Sequence, residues 1–592
     1  MKKNRLKLDN SLNSRKFKKT GHSETIRIST EKYLKMAIIN KEKNQTLLQQ
    51  AIRALHERTF FAAYPENPTP EVYGETADLE GRTAYEAYLH KPFTELLQPN
   101  PSDWVGQEES PYLQQALGIT YPFFEANTLI ERAEKAFHTW RKVDPAERAV
   151  LLVEALEHVK KQFFQIAYAT MHTTGQSFLM SFQASGPHAA DRALEAIAAG
   201  LEEQTRFPAQ TEWEKPMGKY SIKLQKSWIP VPKGISVVIG CSTFPTWNTV
   251  PGMFASLVTG NPVIIKPHPK AVLPIALIVA QVQKVLQEQN LDPTICQLAV
   301  DAQDNLITKE LAEHPKVKLI DYTGSTTFGN YLEKLPGKMV FTEKAGVNSV
   351  ILDSTTDLDK VLQNLAFSVS LYSGQMCTAP QNFFVPETGI KVNGEVIPYE
   401  VVTQKLSDAI EGLVNNPKAG PQILGAIQNV ATEQRVKDSA QGHGKVLLST
   451  CNIKNPAFTD ARICSPVLYE VTSADKDIYN QELFGPIALI IKTKNTTESI
   501  ALARELAETQ GAISCAAYTT DPEIKEQIKD EMSLAGTPVS FNLTGNIYVN
   551  QNAGFSDFHV TGGNPAGNAS FTNPEFVIKR FTWVGFREPA AV

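Results

Sequence analysis

A cysteine and a glutamate lie in two short motifs that suit attack on a carbonyl group. Cys377 ends a Gly-Gln-x-Cys run that begins at Gly374, and Glu343 lies upstream of it. A thiolate attacks carbonyl carbons readily, and at the mouth of a helix the helix N-terminus or nearby donors lower the pKa of a thiol. A partly desolvated carboxylate can activate the water that frees the product. The pair therefore predicts catalysis through a covalent cysteine adduct.

A candidate oxyanion donor precedes both residues along the chain. Asn248 follows Trp247 in a run that comes after the predicted strand 235–240. Its side-chain amide, together with the backbone N–H of Cys377, would stabilise the negative charge that develops on an attacked carbonyl oxygen. Asn248 could instead cap a helix N-terminus, and Trp247 by itself is typical of a core.

Two strand ends predict a nucleotide-binding edge. Lys266 ends the predicted strand 262–266 and suits ribose or phosphate oxygens. Gly324 and Ser325 stand between a predicted strand and a helix that includes Gly329. The exposed N–H groups at such a helix start bind phosphate, and nucleotides bind at the carboxyl ends of parallel strands.

A further motif could complete the nucleotide site. The run Glu-Leu-Phe-Gly-Pro begins at Glu482 and contains Phe484. It supplies an acid for ribose hydroxyls and an aromatic ring to pack on the nicotinamide side. On its own the pentapeptide is equally compatible with an ordinary loop.

The elements that carry these motifs alternate as short apolar strands and helices. One series runs from 235 to 342 and a second from 349 to 518. This alternation predicts an α/β fold with two doubly wound parallel sheets. A strand pair is expected near 220–230. We also predict a helix over 36–60 and a mostly irregular segment over 61–125.

The composition is that of a globular protein and argues against several classes. With 592 residues and a net charge of −5, the chain offers no basic face for nucleic acid. No apolar stretch reaches the length of a membrane span. The six cysteines lack metal-ligand spacing, so we expect no metal, and free thiols in a reducing compartment. The basic start, 1–35, predicts a solvated tail or a true start at Met36, with a targeting peptide as the lesser alternative.

In this order, the motifs resemble the aldehyde dehydrogenase superfamily over about 127–580. The resemblance implies oxidation of an aldehyde to a carboxylic acid, with Cys377 as nucleophile, Glu343 as general base and Asn248 as oxyanion donor. It also implies a cytoplasmic homodimer or homotetramer that acts on small-molecule aldehydes. The residues that would bind NADP or NAD are Trp247, Lys266, Gly324, Ser325, Gly329, Glu482 and Phe484.

The same resemblance implies a division of the chain into parts. The boundaries are placed where the composition or the pattern of strands and helices changes. The expected parts are a basic tail (1–35), an N-terminal extension (36–125), a nucleotide-binding domain (126–342) with an oligomerisation hairpin near 216–232, a catalytic domain (343–548) and a C-terminal oligomerisation segment (549–592).

Two segments are most similar to the PaaN-type phenylacetic acid degradation family. They are 60–68 in the extension and 548–559 near the C-terminus. This likeness implies an open-chain semialdehyde that carries a coenzyme A thioester and derives from ring cleavage of phenylacetate. Two alternatives stay open. One is an acylating enzyme that passes the thioester to coenzyme A, against which Glu343 argues, and the other is a catalytically idle scaffold.

Two departures from the superfamily pattern lie beside the catalytic motifs. Thr246 stands where the pattern has proline, which alters the turn before Asn248. Lys344 and Ala345 replace the two glycines that usually follow the base. Their larger side chains predict a narrower space near the nicotinamide.

A third departure concerns the choice of cofactor. Pro269 stands where members that use NAD often carry an acid, and it is flanked by His268 and Lys270. A carboxylate at that place would hold the ribose 2′-hydroxyl and repel a 2′-phosphate. Its absence beside two basic residues predicts that the protein tolerates NADP, and our hypothesis is that NADP gives the higher kcat/KM.

Overall fold

The computed structural model describes residues 40–302, 304–439, 444–545, 561–568 and 573–590. The predicted basic tail and the segment 548–559 lie outside these residues. None of the helices in the described ranges is long and apolar enough to cross a bilayer.

The N-terminal extension is more regular than its composition predicts. Its helices are α1 (Lys41–Glu57), α2 (Pro70–Tyr73) and α3 (Ala77–Glu86), and its strands are β1 (Asp103–Val105), β2 (Glu109–Ser110), β3 (Gln115–Ala116) and β4 (Tyr121–Phe123). The prediction of a helix over 36–60 is confirmed by α1. The prediction of a mostly irregular segment over 61–125 is wrong at α3, because Tyr85 and Gly81 are buried against a neighbouring helix.

A series of helices follows the extension along the chain. Its members are α4 (Ala126–Trp140), α5 (Pro145–Lys160), α6 (Phe163–Thr174), α7 (Phe178–Ser185) and α8 (Pro187–Thr205). The extension is tied to α8 by polar contacts, among them the following two. Asp191 accepts a hydrogen bond from the backbone N–H of Ala63 at 2.8 Å, and His188 lies 2.7 Å from Glu66.

The first sheet has five parallel strands in the order β11-β10-β7-β8-β9. All five residues of β7 are buried, as a strand covered on both faces requires. The strands are β7 (Ile235–Ile239), β8 (Val263–Lys266), β9 (Cys296–Leu298), β10 (Val317–Thr323) and β11 (Met339–Glu343), and the helices between them are α9 (Pro245–Val258), α10 (Leu273–Glu288), α11 (Thr308–Glu313) and α12 (Thr326–Glu333).

The second sheet has seven strands in the order β17-β18-β19-β14-β12-β20-β21, of which β17 alone pairs antiparallel. Its strands are β12 (Ser349–Leu352), β14 (Asn382–Pro386), β17 (Lys445–Leu448), β18 (Val467–Thr472), β19 (Ile487–Thr493), β20 (Cys515–Tyr518) and β21 (Val539–Phe541). A small sheet of β13 (Ser354–Thr355), β15 (Ile390–Val392) and β16 (Glu395–Ile397) lies beside it. The helices of this half are α13 (Leu358–Ser370), α14 (Tyr399–Val414), α15 (Ala419–Leu424), α16 (Val430–Ser439), α17 (Lys476–Tyr479), α18 (Thr496–Thr509) and α19 (Pro522–Leu534).

A third, antiparallel sheet joins a hairpin to the end of the chain. The prediction of a strand pair near 220–230 is wrong in its bounds, because Ser221–Pro232 is one strand and its hairpin partner is Gln210–Pro216. It consists of β5 (Gln210–Pro216), β6 (Ser221–Pro232) and β22 (Phe581–Pro589), with β6 in the centre, and the short helix α20 (Glu575–Ile578) precedes β22. Arg580 holds this return in place, since its guanidinium pairs with buried Asp321 of β10 at 2.6 Å. The predicted α/β fold class is therefore confirmed, while the domain boundaries stay a prediction.

Candidate active site

The turn that carries the cysteine has a backbone conformation that few residues adopt. After α13, residues Tyr372, Ser373 and Gly374 have φ angles of 52°, 49° and 60°, in the left-handed region. Such residues store strain and persist only where the surroundings hold them. A Cβ atom on Gly374 would lie 2.4 Å from the carbonyl oxygen of Gly485. The turn therefore packs so closely against the loop that contains Glu482 that a side chain at position 374 would not fit.

Side-chain hydrogen bonds fix this turn from below. The Tyr372 hydroxyl donates to the carbonyl oxygen of Thr174 at 2.6 Å. Gln375 donates to the carbonyl oxygen of Ala426 at 3.0 Å and accepts from the backbone N–H of Gln428 at 3.0 Å. The strain is thus balanced by contacts to α6 and to the segment after α15.

Cys377 and Glu343 meet across the gap between the two sheets. Cys377 lies half-buried in the turn before β14, and Glu343, the last residue of β11, is buried and hydrogen-bonded to it. Burial raises the pKa of both groups, and the charge of Glu343 raises the pKa of the Cys377 thiol further. The resting site therefore holds a protonated thiol beside a carboxyl group placed to accept its proton.

The suggestion that a helix N-terminus activates the thiol is wrong. The left-handed residues end α13, and the chain then passes through Cys377 in a turn and enters β14. The group placed to accept the thiol proton is the carboxyl group of Glu343, and its charge raises the pKa of the thiol.

Asn248 adjoins the same carboxylate. Helix α9 begins at Pro245, so Asn248 lies in its first turn, and the alternative of a cap residue is wrong. Its Nδ2 donates to Oε1 of Glu343 at 3.0 Å, and its Oδ1 accepts from the thiol of Cys241 at 3.7 Å. One side-chain N–H is engaged in this way, and the amide has a second one to offer.

Trp247 is buried and carries a buried arginine on its ring. The guanidinium carbon of Arg192, from α8, lies 3.6 Å from the ring centroid. The charge of Arg192 lowers the pKa of Glu343 against the effect of burial. The sequence analysis missed Arg192. No local signal marks it, because α8 carries several other charged residues, among them Asp191 and Glu195.

Lys266 forms a buried ion pair that its own motif does not predict. Its Nζ lies 2.6 Å from Oδ2 of Asp301, and the two side chains are 3% and 5% exposed. Nζ also donates to the carbonyl oxygen of Pro267 at 2.8 Å. Asp301 follows β9 outside any motif, so only the parallel pairing of β8 and β9 brings it to Lys266.

The Gly-Ser turn opens a helix as predicted. Ser325 is the N-cap of α12, is exposed and accepts a hydrogen bond from the backbone N–H of Phe328 at 3.4 Å. The backbone N–H of Gly324 donates to the carbonyl oxygen of Glu343 at 3.0 Å, which joins this turn to the base. A Cβ on Gly324 would lie 2.5 Å from the hydroxyl of Tyr322.

Lys344 does not obstruct the space beside the reacting groups, so it does not cause the predicted narrowing, and the contribution of Ala345 stays a prediction. Its side chain runs along α12, where Nζ bonds Asn330 at 2.8 Å and Glu333 at 3.0 Å. Gly329 makes room for it, since a Cβ at that position would lie 2.5 Å from the lysine Cδ. Gly329 therefore serves packing in addition to its predicted place in the nucleotide turn.

Glu482 and Phe484 lie in the loop before β19. Burial raises the pKa of Glu482 to about 7, and the backbone N–H of Gly346 bonds its carboxyl group. The charge of Glu482 also raises the pKa of Cys377, so this loop lies near the cysteine. Phe484 is half-buried, and its carbonyl oxygen accepts from Arg435 at 2.7 Å.

The arrangement fits a dinucleotide cofactor. Ser325 and Thr327, at the start of α12, are exposed at the carboxyl edge of a parallel sheet. Glu482 offers a carboxyl group close to Cys377 for polar groups of the cofactor. Within the described residues, no group of three or more His, Cys, Asp or Glu side chains could hold a metal ion.

Comparisons with known proteins define the class. The model of the aldehyde dehydrogenase family matches residues 124–574, and the chain belongs to that family. It is an oxidoreductase that acts on aldehydes with NAD or NADP, as predicted.

Individual relatives agree with this assignment. The crystal structure of an NAD-dependent aldehyde dehydrogenase from Burkholderia multivorans is 43% identical, with a TM-score of 0.90 over 93% of this chain and 99% of that chain. A 1-pyrroline-5-carboxylate dehydrogenase from Bacillus licheniformis is 23% identical over 440 residues, 71% of this chain and 78% of the relative. A Thermus enzyme of the same name, solved with bound NAD, is 20% identical with a TM-score of 0.70, covering 90% of this chain and 99% of that chain.

Proposed function

We propose that Cys377, Glu343 and Asn248 are the catalytic residues of this aldehyde dehydrogenase. The observation that supports the proposal is a hydrogen-bonded chain. Asn248 donates to Glu343 at 3.0 Å, and the same carboxyl group is bonded to Cys377. A nucleophile, a base and an oxyanion donor thus meet at one place, although they come from three separate segments.

The chemistry follows from these contacts. Glu343 takes the thiol proton as the Cys377 sulfur attacks the carbonyl carbon, and the second side-chain N–H of Asn248 and the backbone N–H of Cys377 donate to the resulting oxyanion. A bound nicotinamide would supply the acceptor for the hydride that leaves this carbon, and the Cys377 sulfur would then be held as a thioester. Glu343, after releasing its proton to solvent, then takes a proton from water. The water oxygen attacks the thioester, the C–S bond breaks, and the carboxylic acid leaves.

The Glu343→Gln variant tests this assignment by rapid mixing. We expect one equivalent of reduced nicotinamide per active site, formed more slowly than in the native protein because the thiol must lose its proton to solvent, and then a stall because the thioester cannot be hydrolysed. Glu310→Gln, at an exposed position of α11, is the matched control and should turn over normally. Normal steady-state turnover of Glu343→Gln would contradict the assignment of the base.

For the cofactor, we propose that Ser325 and the first turn of α12 hold the phosphates and that Glu482 holds ribose hydroxyls. Lys266 would contact the ribose, and Asp301, which is paired with it, would contact the ribose as well. The preference for NADP stays a prediction. Two observations favour NAD instead. Asp301 places a carboxylate beside Lys266, although Pro269 stands where an acid is common. The relative from Burkholderia multivorans is named as NAD-dependent. Dissociation constants for both nucleotides decide the matter.

For the substrate, we keep the open-chain semialdehyde linked to coenzyme A as the first candidate. The names of relatives support a second candidate, the semialdehyde in equilibrium with 1-pyrroline-5-carboxylate. A panel of semialdehydes with and without the thioester, read by nicotinamide absorbance, separates the two. A higher kcat/KM for 1-pyrroline-5-carboxylate would reject the first candidate, and a requirement for free coenzyme A would instead indicate the acylating reaction.

We also propose a cytoplasmic homodimer or homotetramer that assembles through the third sheet. Large apolar side chains of β6 and β22 are exposed there, which a partner copy would cover. These residues are Ile222, Ile229, Val584 and Phe586. Light scattering of the native protein and of Phe586→Asp tests this, with a monomeric native protein as the contradicting result.

A further inference from the structure

A buried arginine that the reaction scheme above does not use stands behind the reacting groups. Arg192 is 6% exposed, and its guanidinium stacks on Trp247 at 3.6 Å. A cation held this far from water persists only where stacking and opposite charges replace its lost hydration. Trp247 directly precedes Asn248, so the guanidinium braces the residue next to the proposed oxyanion donor.

The groups around Glu343 come from four parts of the chain. They are Arg192 of α8, Asn248 of α9, the Cys241 thiol after β7 and the Cys377 thiol before β14. Arg192 brings the positive charge to this group, and Glu195, one turn further along α8, faces Arg192 from the other side. Burial disfavours the ionised form of Glu343, and the arginine opposes that effect.

We propose that Arg192 is a positioning residue of this site: its guanidinium braces the turn that presents Asn248 to Glu343 and places a positive charge beside the base. The inference rests on the proposed role of Glu343 as base. An ionised carboxylate can take the proton of Cys377 and later that of water, and loss of the nearby cation would favour the neutral form, which takes neither.

The test replaces the charge and follows the reactivity of the nucleophile with pH. The readout is the rate at which iodoacetamide alkylates Cys377, resolved by peptide mass spectrometry, together with the pH profile of kcat/KM. In Arg192→Gln we expect the acid limb of both profiles to move up by about one pH unit, and alkylation near pH 6 to slow about tenfold. Arg192→Lys should keep the acid limb near its native position.

A matched control is another buried arginine that packs on α9. Arg148 donates to the carbonyl oxygen of Val258 at 2.8 Å, away from Glu343. Arg148→Gln should lower the melting temperature and leave the pH profiles unchanged. A merely structural Arg192 would behave in the same way.

The outcomes separate this inference from the function on which it rests. An acid limb that disappears in Glu343→Gln but is unmoved in folded Arg192→Gln overturns the role of Arg192 alone. An acid limb that persists in Glu343→Gln overturns the base and the inference together. If Arg192→Gln does not fold, Arg192→Lys decides, because a limb displaced by a full unit with the charge retained would overturn the proposal.

Discussion

The two parallel sheets present their chemistry at opposite ends of their strands. In the five-stranded sheet the candidate residues follow strands, as Lys266 ends β8 and Glu343 ends β11. In the seven-stranded sheet they precede strands, since Cys377 comes before β14 and Glu482 before β19. Candidate residues at the carboxyl ends of the first sheet's strands therefore lie close to candidate residues that precede the second sheet's strands.

This difference explains which residues a general rule can find. The rule that nucleotides bind at the carboxyl ends of parallel strands locates the first set. It says nothing about an amino edge, so Cys377 is found by its motif and its chemistry. The short link 344–348 joins β11 to β12, and Asn348 in it donates to the carbonyl oxygen of Cys377 at 2.8 Å. The link 344–348 and the Asn348 side chain thus help to hold Glu343 and Cys377 close together.

The largest expected effect comes from removing the nucleophile on the amino edge. Cys377→Ala should abolish reduction of nicotinamide, because without the sulfur there is no adduct from which a hydride can leave. The control is Cys451→Ala, an exposed cysteine outside the site, which should keep full activity. Stopped-flow absorbance measures both variants, and a residual first turnover in Cys377→Ala would break the comparison at its centre.

The next effect concerns the carboxyl edge. Asp301→Asn leaves the buried ammonium of Lys266 without its anion, which costs about 3–5 kcal/mol of unfolding free energy. Glu313→Gln, in an exposed pair with Lys309, should cost less than about 1 kcal/mol. Urea unfolding compares the two variants. Equal losses would mean that Lys266 is not held by Asp301.

The same variant sharpens the account of cofactor choice. Removing a carboxylate beside the proposed ribose site removes a repulsion against a 2′-phosphate. The ratio of dissociation constants for NADP and NAD should therefore shift towards NADP, as measured by fluorescence titration without substrate. A ratio equal to that of the native protein would place Asp301 outside nucleotide selection.

A smaller effect is expected at the turn that holds the nucleophile. Gly374→Ala puts a Cβ 2.4 Å from a backbone carbonyl oxygen at a φ of 60°, and strain of this kind costs about 1–3 kcal/mol. Gly412→Ala is the control, since nothing lies within 4 Å of a Cβ in that helix and alanine should stabilise it by about 0.5–1 kcal/mol. Thermal unfolding compares the two, and a neutral Gly374→Ala would show that the turn relaxes.

The smallest effect is a pH dependence. Glu482 has its pKa raised by burial from 4.5 to about 7, so the folded protein binds this proton more tightly than the unfolded chain does. Its contribution to stability is present at low pH and is lost as the pH rises from about 4.5 through 7. Glu482→Gln should therefore gain in melting temperature over the native protein at pH 8 relative to pH 5. Parallel curves would contradict the buried carboxyl, and exposed Glu395→Gln should give such parallel curves.

Sequence alone predicts the elements of this fold better than the contacts between them. The alternation of apolar strands and helices gives both parallel sheets, and Gly374, Ser325 and Glu343 are found by local motifs. Asp301 and Arg192 are not, because each acquires its role only when a strand pairing or a helix packing brings it to a partner far along the chain. The composition of the extension predicts an irregular segment because its burial depends on contacts with α6 and α8. A local sequence pattern does not reveal such contacts.

The central claim is that a sulfur on one edge and a carboxylate on the other act on a single carbonyl carbon. It is tested most directly by mass spectrometry of Glu343→Gln quenched after mixing with NAD or NADP and an accepted aldehyde. The account predicts that the peptide with Cys377 gains the mass of the substrate acyl group. An unmodified Cys377, or an adduct on Cys241 instead, would contradict it.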